Sequence, residues 1–426
     1  MKKIFIYLFA LSALLTTGCT KAFDNISDAK PVEGISLTFN LTIDIENLKG
    51  FDLVLKLINY DEKLEYSFPV NPSAGARAVS NVVSVTATDI VPGIYTAILA
   101  GKGEGVSEGT DFEYVLSGNL VNQAMTGEGQ NFDITISAGK KGNLLIKELY
   151  YCGVPSYYFR DQFYELYNNS EAVIYLDGLY FANLHPSKAT TSLSLWPDDD
   201  AVYAERVWRF PGNGTDYPLQ PGESVILAQN AMNHPEANAK SPVNLLNADF
   251  EFYMGSTTYP DKPAYNMEHV FYEGKADIGS IQMWLVSVFG GAYCVFKVPD
   301  DEVWDPVNDP NMHTTDLATT YSTLYAKIPL DYVLDAVECC ANESEVNMKR
   351  LPGVVDAGIT WVGNSYIGLS VARHIEKDEN GNPKTLPNGS YIYMDTNNST
   401  DDFERELIPE LRRNGAKVPS WSHTLQ

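Results

Sequence analysis

The sequence predicts a mostly β protein of two antiparallel β-sandwiches behind an export segment. Three observations carry this reading. Apolar residues recur with period two over many short runs. Gly, Pro, Asn and Asp cluster between those runs. The N-terminus places Lys2 and Lys3 before an apolar stretch, Ile4 to Leu15, that is too short to span a bilayer and has the layout of a secretory signal.

The apolar stretch ends in "LTTGC", with Thr17 and Gly18 directly before Cys19. This resembles the lipobox of bacterial lipoproteins, with Thr16 where Leu is usual. The resemblance implies cleavage before Cys19 and acylation of its thiol, so residues 1–18 are read as a lipoprotein signal peptide and Cys19 as the lipidation site. Acyl chains contribute roughly 0.8 kcal/mol per buried methylene, and more than one chain gives stable anchoring. Residues 19–33, "CTKAFDNISDAKPVE", then form a tether between membrane and fold.

Composition fits a tethered globular chain. The 426 residues include 44% hydrophobic and 12% aromatic side chains, enough to bury real cores. The 55 acidic against 30 basic residues give a net charge of −25, which repels phosphate backbones and excludes nucleic acid as a partner class.

The first folded unit, residues 34–139, opens with "ISLTFNLTIDI". There Ile35, Leu37, Phe39, Leu41, Ile43 and Ile45 alternate with polar residues, the mark of a strand with one buried face. Further strand-like runs follow at Phe51 to Ile58, Val79 to Thr88, Ile94 to Ala100, Glu113 to Leu120 and Phe132 to Ser137. Short strands separated by turns make an antiparallel sandwich. "IVPGIYTAILAGKG" resembles the Pro-Gly-x-Tyr hairpin of transthyretin-like and carboxypeptidase-regulatory-like domains, which implies fold alone. "GKGEGVSEG", Gly101 to Gly109, lacks the Lys-Ser/Thr ending of a phosphate loop and is read as a flexible loop.

"SAGKKGNL" marks the boundary to a second unit, residues 142–410, followed by a tail at 411–426. Glu148, then Glu165-Leu166-Tyr167-Asn168, Leu176-Asp177-Gly178 and Pro221-Gly222-Glu223 follow one another in the order and spacing of the lamin-tail domain. The pattern resumes near the C-terminus with Ser370, Arg373, Asp395, Asn397, Asn398, Ser399, Asp402 and Phe403. The resemblance implies two immunoglobulin-like antiparallel β-sandwiches, the second lamin-tail-like with a long elaboration at about 184–361. It also favours turn and edge roles for Glu165, Asn168, Asn169 and Asp177 over a catalytic cluster.

Taken whole, the arrangement resembles an uncharacterised family of Bacteroidetes-type lipoproteins, known as a domain of unknown function and often encoded near outer-membrane TonB-dependent transporters. That implies an outer-membrane lipoprotein, on the cell surface or the periplasmic face, with such a transporter as partner. It brings no catalytic residues.

The residues themselves carry no recognisable catalytic motif. "GNSYIG" at Gly363 has the wrong spacing for a nucleophile elbow, no His-Glu-x-x-His helix occurs, and the six His are scattered. Paired carboxylates for glycoside cleavage need be close only in space, so a hydrolase of glycan or peptide, with its site in the 184–361 elaboration, is the alternative to a non-enzymatic binding or accessory protein. Cys152, Cys294, Cys339 and Cys340 leave disulfide pairing open. Two stretches are candidate sites. "YYCGVPSYYFRDQ" gathers Tyr150, Tyr151, Tyr157, Tyr158 and Phe159, flat rings suited to stacking on a ligand or partner, weighed against a local core. "MDTNNSTDD" offers Asp395, Asn397, Asn398 and Asp401 as a candidate calcium set, weighed against Asx turns.

Overall fold

A computed structural model describes residues 32–43, 48–70, 82–107, 110–140, 142–279 and 283–425. The signal segment, Cys19 and the tether through residue 31 lie outside the described residues. The fold is mostly β and sandwich-like throughout.

The N-terminal unit contains β1 (Ile35–Ile43), β2 (Leu48–Asn59), β3 (Leu64–Val70), β4 (Val82–Ile90), β5 (Gly93–Ser107), β6 (Thr110–Met125) and β7 (Asn131–Lys140). They form one sheet in the order β3-β2-β5-β6-β7-β1-β4, antiparallel except where β1 runs parallel to β7. The sheet curls until its end strands, β3 and β4, approach each other. The predicted alternation of β1 is realised: Leu37, Phe39 and Leu41 are fully buried and pack with Leu53, Leu55 and Leu57 of β2.

Two sequence readings are corrected here. Residues 101–107 are not a loop but the second half of β5, paired with β2 and β6. Glycine is used there for close backbone approach: a Cβ at Gly101 would lie 2.0 Å from the Asp52 carbonyl oxygen. The Pro92-Gly93 turn is not a hairpin either, because β4 pairs with β1 whereas β5 pairs with β2 and β6. It is a crossover, fixed by Tyr95, whose buried hydroxyl donates to the Val91 carbonyl at 2.7 Å.

The second unit continues with β8 (Leu144–Tyr150), β9 (Phe163–Asn168), β10 (Ile174–Tyr175), β11 (Tyr180–Leu184), β12 (Ala201–Arg209), β13 (Pro218–Leu219), β14 (Ser224–Ala228), β15 (Phe250–Glu251) and β16 (Tyr265–Asn266). After these come β17 (Glu268–Tyr272), β18 (Ala292–Phe296), β19 (His313–Thr314), β20 (Tyr325–Pro329), β21 (Val333–Cys340), β22 (Thr360–Trp361), β23 (Ser370–Arg373) and β24 (Phe403–Leu407). One sheet runs β16-β15-β14-β9-β8-β23-β24, the other β19-β20-β12-β11-β18-β21-β22 with β17 added on β12. Their facing sides share a core that includes Tyr164, Leu166 and Val225 from the first sheet and Phe181, Trp208 and Val295 from the second. β23 pairs with β8, so the two ends of the second unit meet in one sheet. The segment 184–361 supplies β12 to β22 and is therefore woven into both sheets.

The two units touch through polar contacts. Lys56 pairs with Asp401 at 2.8 Å, and the Ser117 hydroxyl donates to the Gly353 carbonyl at 2.9 Å.

Candidate functional site

The aromatic loop separates into core and surface. Tyr150 and Tyr151 are fully buried; their hydroxyls donate to the Asp161 carboxylate at 2.8 Å and to the Cys340 carbonyl at 2.7 Å. Tyr158 is buried too, its hydroxyl 2.7 Å from His234 Nδ1. Large rings gain most from burial when each hydroxyl finds a partner inside. Of the five candidate rings, Tyr150, Tyr151 and Tyr158 thus belong to the core that was weighed against stacking, and one, Tyr157, is exposed, with half-buried Phe159 beside it. Tyr157 is 79% exposed at the tip of a tight turn and meets Tyr366 edge-on at 5.2 Å.

The oxygen-rich segment does not form a calcium ring. Asp395 accepts the Gly142 N–H at 2.7 Å and faces Arg373 at 3.5 Å. Asp401 holds Lys56 with both oxygens, at 2.9 and 2.8 Å. Asn398 caps the short helix Ser399–Asp402 by accepting the Thr400 N–H. The Asn397 amide donates to the Val354 carbonyl at 3.3 Å. Lys56 and Arg373 already supply the positive charge a metal would bring. Among the described residues, no three or more His, Cys, Asp or Glu side chains are arranged to hold a metal ion.

Other acids are engaged in structure. Glu165 and Lys147 form a fully buried pair at 2.8 Å, and the Lys147 ammonium also donates to the Arg413 carbonyl. Glu148 is paired with Arg413 at 2.9 Å. Glu338 accepts from Lys349 and Arg350 at 2.8 and 2.9 Å, and these cations hold its pKa below the ordinary range although burial opposes them. Asn168 donates to the Ala172 and Leu219 carbonyls, while Asp177 accepts three backbone N–H groups, from Gly214, Asp216 and Tyr217. Asn168 and Asp177 are thus turn structure, whereas the turn or edge role expected for Glu165 is corrected: it lies on β9, the middle strand of its sheet, where Lys147 matches its buried charge. Cys152, Cys294, Cys339 and Cys340 are buried free thiols.

One cleft differs. It has a volume of about 530 Å3 and opens where β12 meets β17. Arg206 on β12 lies opposite Tyr272 on β17, and its guanidinium sits over the Tyr272 ring, 4.0 Å from the centroid. Arg206 is only 5% exposed, yet its Nε has no hydrogen-bond partner and it forms no ion pair with any described residue. Burial lowers its pKa, with Tyr272, Glu205 and Glu273 acting in the opposite sense. Glu273 and Gly274 both have positive φ, 51° and 81°, in the tight turn where Tyr272 and Lys275 exchange backbone hydrogen bonds. This geometry sets Glu273 on the cleft rim. Met283 and Trp284 line the cleft as well. The sequence carried one faint signal of it. Arg206 shares a strand face with Trp208, an inward position where a charged residue calls for a partner.

A second cleft of about 550 Å3 lies near Asp177 and Val303, but the Asp177 carboxylate is engaged by backbone and Arg209 is paired with Glu268 at 3.0 Å.

No curated protein matches the sequence. Residues 220–410 match the family described as "Protein of unknown function (DUF4876)". A crystal structure of a DUF4876 family protein from Bacteroides thetaiotaomicron VPI-5482 is similar over 92% of this chain and 100% of its own, with 50% sequence identity and a TM-score of 0.67. A match of that identity over nearly the full length, together with the family match across the second unit, shows that the chain belongs to the DUF4876 family.

Proposed function

We propose that this protein is a lipid-anchored cell-envelope protein that captures a small ligand in the Arg206–Tyr272 cleft and acts beside an outer-membrane TonB-dependent transporter. The observation that carries the reading is the buried Arg206 guanidinium without a carboxylate partner among the described residues, in contrast to Lys147 and Arg373, buried cations that acids match. A desolvated, unmatched cation in an open cleft is arranged for binding. The anchor rests on the "LTTGC" box at Cys19. Tethering to one leaflet raises the effective concentration of two partners, so a weak interface suffices. Exposed Tyr157 offers an aromatic anchor for such an interface.

The test is cross-linking in intact cells followed by mass spectrometry, with Cys19→Ala and Tyr157→Ser beside wild type. Wild type is expected to yield an outer-membrane transporter, Tyr157→Ser to yield less of it, and Cys19→Ala to leave the membrane fraction or remain an uncleaved precursor. Normal processing and membrane retention of Cys19→Ala would defeat the anchor. Absence of a transporter from the wild-type sample would defeat the partner.

A further inference from the structure

We propose that the ligand of the Arg206 cleft is a small zwitterion, a free amino acid or short peptide, whose carboxylate is taken by Arg206 and whose ammonium is taken by the rim acids. The proposal rests on the reading above that this cleft is the binding site, and it deepens that reading by naming the ligand class.

Three observations lead there. First, Arg206 presents a planar cation with one face stacked on Tyr272, which fixes the plane and leaves the edge donors free. Its buried Nε has no acceptor, and the fork of an Arg side chain matches the two oxygens of a carboxylate. A neutral polyol would satisfy the donors but leave the buried charge uncompensated.

Second, the surroundings oppose a simple anion. Glu205, Glu273 and Asp277 line the same cleft with Lys275 as the one other cation among its lining residues, and the whole chain carries −25. Phosphate or a dicarboxylate would bring further negative charge against three carboxylates. A ligand that carries its own cation turns those carboxylates from repulsive into attractive, and charge-assisted hydrogen bonds form at both ends. Glu273 is the best placed of them, because it is solvent-exposed on the turn and no described ion pair engages it.

Third, Met283, Trp284 and Leu285 give the cleft an apolar wall, and Leu285 is 67% exposed. An amino acid or dipeptide with an apolar side chain can cover that wall while its charged groups reach the polar rim.

The experiment is isothermal titration of the full mature chain with L-leucine, L-methionine and alanyl-leucine, beside acetate, inorganic phosphate and maltose, for wild type, Arg206→Met and Glu273→Gln. The expected result is saturable binding of at least one zwitterion, weakened at least tenfold by Arg206→Met and several-fold by Glu273→Gln, with acetate and phosphate far weaker. Glu273→Gln lies on an exposed turn and keeps the test valid if Arg206→Met does not fold. Maltose, acetate or phosphate binding that Arg206→Met abolishes, without zwitterion binding, would overturn the ligand class and keep the cleft as the site. Zwitterion binding unchanged in both variants, or no binding by any probe, would overturn the ligand class and the cleft together.

Discussion

Replacing Arg373 by Met tests how the second unit holds its charges. The Arg373 side chain is buried, and Nη2 holds both oxygens of Asp335 at 2.8 and 3.0 Å. Nη1 reaches Asp402 at 3.2 Å and Asp395 at 3.5 Å. The same guanidinium donates to the carbonyls of Ile146 and Met394, at 3.0 and 2.8 Å. Removing one partner of a buried ion pair costs about 3–5 kcal/mol. The orphaned carbonyls add to this, at about 1–3 kcal/mol for each that finds no water. The cost of Arg373→Met is therefore on the order of 5 kcal/mol near neutral pH, a large share of a typical domain's stability. Its pH dependence has a definite sign. Burial pushes Asp335 up to about 7 and Asp402 up to about 6, with Arg373 pulling both down and Asp395 pushing both up. Both folded values lie above the unfolded one, so the native state retains protons that the unfolded chain releases. These groups then lower stability progressively as pH rises from about 4 to about 7. Losing Arg373 raises both pKa values further, so the variant's deficit is flat below about pH 5 and widens as pH rises through the wild-type values of about 6 and 7. Urea denaturation of wild type and variant at several pH values between 5 and 8 reads it. A deficit below about 1 kcal/mol, or one that narrows as pH rises, would show that Arg373 does not hold these carboxylates in the folded state.

Two further outcomes follow from local geometry. Burial pushes His234 down to about 4, and its ring is held neutral: Nε2 donates to the Asn230 carbonyl at 2.9 Å and Nδ1 accepts from Tyr158. The folded pKa lies below the unfolded value, so this stability is full above about 6.5 and falls by on the order of 3 kcal/mol as pH drops toward 4. The difference in melting temperature between wild type and His234→Gln should shrink through that interval, and a constant difference would contradict the assignment. Gly178 sits at φ 73° in the turn before β11, so Gly178→Val should cost roughly 1–3 kcal/mol through backbone strain, read by chemical denaturation, and should leave ligand preference unchanged.

How much of this was legible in the sequence depended on whether one face or both faces of an element were buried. β1 was plain because its burial alternates residue by residue. β8 and β9 are buried at every position, since the second sheet covers one side while Tyr393 and neighbouring residues cover the other. Their Glu148 and Glu165 are internal charges that pattern alone cannot distinguish from surface ones. The glycines of residues 101–105 suggested a loop because propensity favours it, but tertiary pairing with β2 overrode propensity. Turn chemistry was readable at Asn168, Asp177 and Gly178, because side chains that bond nearby backbone act locally. Arg206 left only the faint mark of a charge at an inward strand position, and its pairing with Tyr272 left none, because a cross-strand pair between segments far apart in the chain has no local trace. The aromatic loop left core and platform both open for the same reason: the partners that draw Tyr151 and Tyr158 inward, Cys340 and His234, lie far along the sequence.

We propose that the chain captures a ligand and does not transform it. The most direct measurement is mass spectrometry of a panel of peptides and oligosaccharides after incubation with the full mature protein, following both depletion and product. The expected result is depletion of at least one compound that saturates at one equivalent of protein, is lost in Arg206→Met, and is reversed on denaturation with the compound unchanged. Accumulation of a cleavage product beyond one equivalent would contradict it and make the chain a hydrolase.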